Sequence, residues 1–525
     1  FSNIRHHRAF PCEVTISMKM NTIALTFLVL LLSIAQMQAA RPNILLLYAD
    51  DMGYGDLAIQ NSNSKIPTPY LDQLAREGMR FTDGHSSSGI CTPSRYAMLT
   101  GRHHWRKFHG IVNALGQSVF DSKRLTLPEM LQSKGYQTAC IGKWHLGWNW
   151  EALKKPDAKP TIDQKGKRNR TIWGAEDFDW HQPIPDGPLD HGFHHYFGDA
   201  VINFPPYAWI DNNKVVQAPD TTLTITAKTK EGNWQARPGP ARSDWDFYQV
   251  LPTLTEKAVA WIDDRKGDEQ PFFLYFPLPS PHAPIVPTSD FDGKSQAGAY
   301  GDFVVQTDWS CGQLLEALKR SGHADNTLVI FTADNGPERY AYPRMENHDH
   351  WSSAPFRGLK RDIYEGGHHV PFVMRWPGNV EAGGVSDALI SQIDLMATIA
   401  DIVAFELPQD AAEDSHNLID VITGKVQESP RVTHVHNTKE NHYAIRHGDH
   451  VLIDAENGYV SGRNKAWEKT FGYDPKEIGA VQLFDLKQDR AQKHNLAPEQ
   501  PERVKQLQSL LAKIRKQGHS APRLD

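Results

Sequence analysis

From Arg41 onward the apolar residues follow two rhythms. In "NILLLYA", "YQTACIG", "PFFLYFPL" and "TLVIFTA" most successive positions are apolar. Such runs predict short strands buried on both faces. In "TPYLDQLAREG" Leu71 and Leu74 fall in helical phase and Gly78 ends the run; "TLPEMLQSKG" and "DWSCGQLLEALKR" read the same way. These predict amphipathic helices. Strand and helix patterns that alternate in this way predict an α/β fold with a largely parallel sheet covered by helices.

The rhythm breaks twice. Residues 151–250 are rich in Trp, Pro, Asp and Gly and read as long insertions rather than scaffold. After about residue 425, "RVTHVHNTKENHYAIRHGDHVLIDA" alternates as antiparallel strands do, and a last helix follows Pro501 with Val504, Leu507, Leu511 and Ile514 on one face. No repeat or low-complexity tract interrupts the chain. The expected organisation is a leader over 1–40, a catalytic domain over 41–425 and a smaller C-terminal subdomain of antiparallel sheet plus helix over 426–525. At 525 residues the chain exceeds what one core normally supports.

The leader expectation rests on Met18, Lys19 and Met20, an apolar run from Ile23 to Ile34, and Ala39-Ala40. A basic start, a short apolar stretch and small exit residues form a signal-peptide pattern, too short for a comfortable membrane span. Residues 1–17 precede the expected start. The pattern predicts export, periplasmic or extracellular, or along the secretory or lysosomal route in a eukaryote, with no stable membrane insertion. Losing residues 1–40 removes Arg5, Arg8, Lys19 and Glu13, leaving a chain two charges more negative than the overall −6. That balance argues against nucleic acid as a partner.

Export favours disulfides, yet Cys12 lies in the leader and only Cys91, Cys140 and Cys311 remain, an odd number. Cys140 on a strand pattern and Cys311 on a helix pattern read as small buried hydrophobes. Cys91 differs. In "SSSGICTPSRYAMLTGR" a loop runs into a helix with Thr92 as a candidate N-cap, Pro93 in the first turn and Gly101 as its stop. A cysteine just before a helix N-terminus, with Arg95 one turn on, occupies an anion-binding position that would lower a thiol pKa. Position 97 is Ala, where a cysteine phosphatase needs Arg, so a nucleophilic thiol has no further support.

Two strand patterns end in hard oxygen donors, Asp50-Asp51 and Asp334-Asn335. Beyond the carboxyl ends of parallel strands these would suit Ca²⁺ or Mg²⁺ better than Zn²⁺. Either pair alone is more often a turn or helix cap.

"CTPSR" followed by "LTG" resembles the cysteine signature of type I sulfatases, arylsulfatase-like enzymes of the alkaline-phosphatase superfamily. "RPNILLLYADDMGYGD", "GYQTACIGKWH", "SPHAP", "TADNG" and "RGLKRDIYEGGHHVPFVMRWPG" are similar to further blocks of that family, in its order. The resemblance implies an alkaline-phosphatase-like mixed, mainly parallel sheet sandwiched by helices. It implies that a formylglycine-generating or radical sulfatase-maturating enzyme oxidises Cys91 to formylglycine. The hydrated aldehyde would attack sulfur with one hydroxyl and expel sulfate through the second. Asp50, Asp51, Asp334 and Asn335 would hold Ca²⁺ (less favourably Mg²⁺) beside position 91, and Cys91 would contribute a metal ligand. Arg95, Lys143 and Lys360 would grip sulfate, His145 would take the proton of the second hydroxyl, and His282 with Lys360 would protonate the leaving oxygen. Ile202 stands where some members carry a sulfate-contacting serine, with Asn203 beside it.

Aromatic and cationic loops ("GRHHWR", "HLGWNW", "HHYFGDAVINFPPYAWI", "RYAYPRMENHDHW") suit a sulfated sugar, or pack the insertion on the sheet. The expected activity is hydrolysis of sulfate esters on a glycan, such as a galactan or a GalNAc-containing glycosaminoglycan. Two alternatives stand beside it. A two-zinc phosphatase or phosphodiesterase would draw ligands from Asp190 in "DHGF" or Asp349-His350 in "HDHW". A non-catalytic glycan binder would keep Cys91 unconverted.

Overall fold

The computed structural model describes residues 41–163, 170–225, 227–455 and 457–522. The leader expected over 1–40 lies outside them. Asn43–Asp525 make one compact unit. No helix among the described residues is long and apolar enough to cross a membrane.

The main sheet has ten strands. In chain order they are β1 (Asn43–Ala49), β2 (Met79–Phe81), β3 (Gln137–Ile141), β4 (His195–Gly198), β5 (Ile210–Asp211), β6 (Lys214–Val215), β7 (Phe272–Pro277), β8 (Thr327–Ala333), β9 (Phe372–Arg375) and β10 (Gly384–Ser386). They lie side by side as β10-β2-β9-β8-β1-β7-β3-β4-β5-β6. The middle run from β8 to β4 is parallel throughout, and β9 and β5 join its edges antiparallel. The sheet is therefore mixed and mainly parallel.

The continuous apolar runs are explained by burial on both faces. Along β1, Ile44, Leu46 and Tyr48 enter one core with helices α2 (Cys91–Thr100), α3 (Leu127–Ser133) and α6 (Leu395–Ile402). Leu45, Leu47 and Ala49 enter the other, with α1 (Pro69–Glu77), α4 (Val250–Asp263) and α5 (Gly298–Ser321). Helix α5 extends well N-terminal to the segment its periodicity suggested. Its first half is buried through Tyr300, Phe303 and Val304, and Asp308 accepts from the backbone amides of Tyr70 and Leu71 at the start of α1.

Residues 151–250 are mostly loop, as expected of an insertion, but not wholly so. "HYFG" forms β4 beside β3, and the β5–β6 hairpin continues the same edge, so the insertion also widens the scaffold. Most of the aromatics here pack: Phe178, Trp180, Phe193 and Tyr196 are buried in the first core.

At the C-terminal end β11 (Thr433–Lys439), β12 (His442–His447), β13 (His450–Asp454) and β14 (Val481–Asp485) form an antiparallel sheet in chain order. One face receives Leu507, Leu511 and Ile514 of α7 (Pro501–Gln517), while Val504 is partly buried beside them. The other face packs on Ile363 and Tyr364 from the segment between β8 and β9.

His416 is a largely buried imidazole in this scaffold. Burial first, then Arg431, pushes it down to about 4, against the opposing pull of Asp394 and Asp414. An unfolded histidine titrates near 6.5. The unfolded chain therefore binds the proton first, and the group's full share of stability holds only above that pH. On acidification from about 6.5 to about 4 this share is lost, on the order of 1–2 kcal/mol at pH 5. Urea unfolding at pH 7 and pH 5 should show a smaller acid loss for His416→Gln than for the parent chain.

Candidate active site

The site forms where four parallel strands end together. Strands β1 and β8 pair in register from Asn43 with Thr327 to Ala49 with Ala333. The next residues, Asp50-Asp51 and Asp334-Asn335, consequently emerge side by side. The Asp334 amide donates to the Ala49 carbonyl at 3.0 Å, and the Asp51 amide donates to Asp334 Oδ1 at 3.2 Å. Asp51 sits at φ 62°, a left-handed turn that stops the strand. On the other side of β1, β7 leads to His282 and β3 leads through Gly142 to Lys143 and His145. Gly142 has φ 131°, and a Cβ there would stand 2.2 Å from the Pro277 carbonyl oxygen. Only glycine lets the two strand ends approach so closely.

Helix α2 delivers Cys91. The helix begins at Cys91 itself, with Ile90 as its N-cap, so Thr92 is not the cap that the sequence suggested. The Thr92 hydroxyl instead donates to the His145 carbonyl at 2.8 Å and accepts from the Val112 amide at 3.1 Å, tying α2 to two loops. Gly101 ends the helix in the left-handed region at φ 63°. The Cys91 Sγ lies 3.6 Å from Asp50 Oδ1. Burial, then the charge of Asp334, pushes its thiol up to about 12, outweighing Lys143 and Lys360. The helix N-terminus therefore does not produce a thiolate here.

Three carboxylates meet three cations. Arg95 Nε and Nη2 donate to Asp334 Oδ2 at 3.1 and 2.9 Å, while Nη1 donates to the Lys143 carbonyl at 3.0 Å. Lys143 pairs with Asp50, and Lys360 pairs with Asp51 at 2.5 Å. Burial and then Asp334 raise Asp50 to about 7 against the pull of Lys143. Burial opposes the charge of Asp51 too, but Lys360 and then His282 hold its carboxyl well below the usual range.

The two histidines are neutral for the same reason. Burial, then Lys143, holds His145 well below its ordinary value, and burial outweighs Asp51 at His282. His145 Nε2 faces the Val112 carbonyl at 3.0 Å, and a carbonyl only accepts, so that nitrogen carries the proton. Nδ1 is left as a buried lone pair with no partner among the described residues. His282 Nδ1 likewise faces the Ala283 carbonyl at 2.5 Å, leaving Nε2 toward Asp51 Oδ2 at 3.6 Å.

These groups open into a cavity of about 820 Å³. Cys91, His145, His282 and Lys360 lie on its wall, whereas Arg95 and Lys143 are fully buried behind it. The insertion supplies Asn203, Phe204, Trp234 and Arg237, and Tyr340 faces them. Ile202 belongs to the core and Asn203 to the cavity. Arg237 stacks on Phe204 at 4.0 Å and was not singled out by sequence, where nothing separates it from a solvated arginine. The candidate zinc ligands of the phosphatase alternative, Asp190, Asp349 and His350, do not line this cavity, and the Asp349 side chain is exposed. Asp190 accepts from the Gly187 amide, and His350 bonds Asp56 at 2.8 Å and the Lys65 amide at 3.2 Å.

A family model described as sulfatase matches residues 42–404. The chain belongs to the sulfatase family. A second model, N-sulphoglucosamine sulphohydrolase C-terminal, matches residues 358–517. The chain is 31% identical over 516 residues to an N-acetylgalactosamine-6-O-sulfatase of Bacteroides thetaiotaomicron, covering 90% of this chain and 93% of the relative. It is 34% identical over 417 residues to human N-acetylgalactosamine-6-sulfatase, covering 74% and 67%. A solved structure from work on glycosaminoglycan metabolism by B. thetaiotaomicron superposes with a TM-score of 0.74 at 29% identity, covering 91% of this chain and all of that one. This sulfatase is thus a sulfuric ester hydrolase.

The family implies a divalent cation, and the donors fit one. Asp50, Asp51, Cys91 and His282 offer ligand atoms within 4.8 Å of one another. Asp51 Oδ2 and Asn335 Oδ1 are buried without a hydrogen-bond partner among the described residues. The Asn335 amide nitrogen is spent on Asp51 Oδ1 at 2.7 Å and the Gly336 carbonyl at 2.8 Å, which turns its oxygen inward. Hard oxygens of this kind suit a hard cation.

Removing Arg95 would leave Asp334 buried and uncompensated. Arg95→Ala should cost about 3–5 kcal/mol in urea unfolding. The double variant with Asp334→Asn should recover a substantial part, giving a coupling of more than about 1 kcal/mol in the double-mutant cycle.

Proposed function

We propose that this sulfatase removes sulfate from a glycosaminoglycan-type glycan after Cys91 has become formylglycine, with Ca²⁺ held by Asp50, Asp51, Asp334 and Asn335. The carrying observation is a buried, unpaired cysteine on the cavity wall with His145, His282 and Lys360, its Sγ 3.6 Å from Asp50 Oδ1. Once hydrated, the aldehyde supplies a hydroxyl nucleophile and a second hydroxyl whose deprotonation releases sulfate. The cation supplies charge neutralisation at sulfate oxygens and acidifies the nucleophile.

The chain's own groups do the rest. The three carboxylates are balanced by Arg95, Lys143 and Lys360, so a divalent cation leaves two positive charges in excess, matched to the sulfate being released. Lys360, on the wall, is placed to touch sulfate directly. Lys143 and Arg95 act from behind, and Arg95 also fixes Asp334. His145 Nδ1 is a neutral base beside position 91, fitted to take the proton of the second hydroxyl. For the leaving oxygen, His282 and Lys360 both lie on the cavity wall beside Asp51 and together form the proton-donating pair.

The substrate reading rests on the N-acetylgalactosamine-6-sulfatases among the relatives and on a cavity wide enough for a sugar. Phe204, Trp234 and Tyr340 offer ring faces and Arg237 a charged edge. A 6-sulfated N-acetylgalactosamine unit is the first substrate to test. The proposed setting is export by the leader, with a formylglycine-generating or radical maturase as the processing partner.

Tryptic peptide 81–95 from natively produced protein should carry an aldehyde at position 91 by mass spectrometry. Cys91→Ala should lose sulfate release by at least about a thousandfold while keeping its melting temperature. Full activity with an unmodified thiol would remove the mechanism, and an unconverted, inactive but glycan-binding protein would favour the binder. Ca²⁺ at about a hundred times its Kd should stabilise the chelated protein by about 2.7 kcal/mol, more than Mg²⁺ at equal concentration, and Asp334→Asn should abolish the gain.

A further inference from the structure

A second group of ligating side chains lies outside the catalytic cavity and takes no part in the chemistry above. His85 ends the short strand Gly84–His85, His368 follows the turn Glu365–Gly367, and His436 lies on β11. All three are buried, and each offers a ring nitrogen within 4.8 Å of the others.

Their hydrogen bonds orient the rings. His85 Nε2 faces Asp83 Oδ1 at 2.8 Å, and a carboxylate accepts, so Nε2 donates and Nδ1 is turned inward. His368 Nε2 faces the Ile363 carbonyl at 3.2 Å, which turns Nδ1 of that ring inward as well. The two inward nitrogens lie 3.2 Å apart. The His436 ring stacks on His368 with centroids 3.4 Å apart, and neither of its nitrogens has a partner among the described residues. Glu365 adds a carboxylate whose Oε1 is equally unpartnered and whose Oε2 lies 3.9 Å from His85 Nδ1.

The adjoining groups are spent. Asp83 receives both Arg446 Nη1 and Nη2, at 2.7 and 2.6 Å, and the His369 nitrogens bond Glu365 at 3.0 Å and the Thr82 carbonyl at 2.9 Å. His434, whose ring centroid lies 4.1 Å from that of His436, also has two unpartnered nitrogens, but the group with ring nitrogens within 4.8 Å of one another is His85, His368 and His436. Buried polar groups left unsatisfied are costly. A cation that accepts lone pairs would satisfy them together.

We propose that His85, His368 and His436 form a second metal site that takes Zn²⁺, with Glu365 as the neighbouring anionic donor. Three imidazoles select a late first-row divalent ion over Ca²⁺. The Asp83–His85 bond is the carboxylate partner that metal-bound histidines use to fix their tautomer, and Arg446 holds that carboxylate in turn. A separate cleft of about 290 Å³ has Asp83 and Glu365, the neighbours of His85, on its wall. The ion would join three segments far apart in sequence. Ser88 Oγ donates to the Asn437 carbonyl at 2.7 Å, and Ser94 Oγ donates to the Ser88 carbonyl at 2.8 Å. The ion would thus anchor the loop that carries Cys91 against β11.

Tag-free full-length protein, loaded with Zn²⁺ and dialysed without chelator, should retain one equivalent by mass spectrometry of the metal. Asp334→Asn should keep it, and His436→Gln should weaken binding by at least about tenfold. Zinc-edge X-ray absorption of the loaded parent protein should show imidazole ligands. Failure to retain zinc, an all-oxygen shell, or unchanged affinity in a folded His436→Gln variant would overturn the assignment. If that variant does not fold, the parent spectrum decides.

Discussion

The register between β1 and β8 is the constraint on which the site depends. Because Ala49 pairs with Ala333, two acidic strand ends meet at hydrogen-bond distance rather than a residue apart. A slip of one residue would turn every side chain of the slipped strand to the other face and separate the four oxygen donors. Burial of β1 on both faces, with Leu45 and Leu47 in one core and Ile44 and Leu46 in the other, makes such a slip expensive. Packing energy in the sheet thereby holds three mutually repelling carboxylates together.

Charge compensation follows from that placement. Concentrating Asp50, Asp51 and Asp334 away from water is tolerable only with cations in contact, and these come from three different segments: α2, the turn after β3, and the long connection between β8 and β9. The arrangement accounts for a fully buried arginine and a fully buried lysine. It separates two functions that the motif alone runs together. Arg95 and Lys143 organise the acids from below, while Lys360, His145, His282 and Cys91 face the cavity. The aromatic wall of the cavity has a different origin, the 151–250 insertion together with Tyr340.

The chain's strongest local patterns were legible without coordinates. "NILLLYA" and "TLVIFTA" could hardly be anything but buried strands, and their polar endings marked the oxygen donors. Helix α2 was visible from Pro93 and Gly101, yet its first residue was misplaced. Thr92 looks like a cap locally, whereas its hydroxyl has stronger partners in His145 and Val112, contacts of long sequence separation. Strand β4 was missed because four residues inside an irregular insertion carry too little periodicity; pairing with β3 makes them a strand.

The sequence by itself determined the α/β alternation, the sulfatase motifs and the identities of the groups that meet at the strand ends, because each is encoded in residues close together. Only the tertiary structure decided which of those groups face the cavity. It also decided that the Cys91 thiol is raised rather than lowered, and that His145 holds a bare nitrogen beside it. These properties depend on burial and on partners dozens to hundreds of residues away. Local sequence records which charges are present, while the fold sets their distances and their access to water.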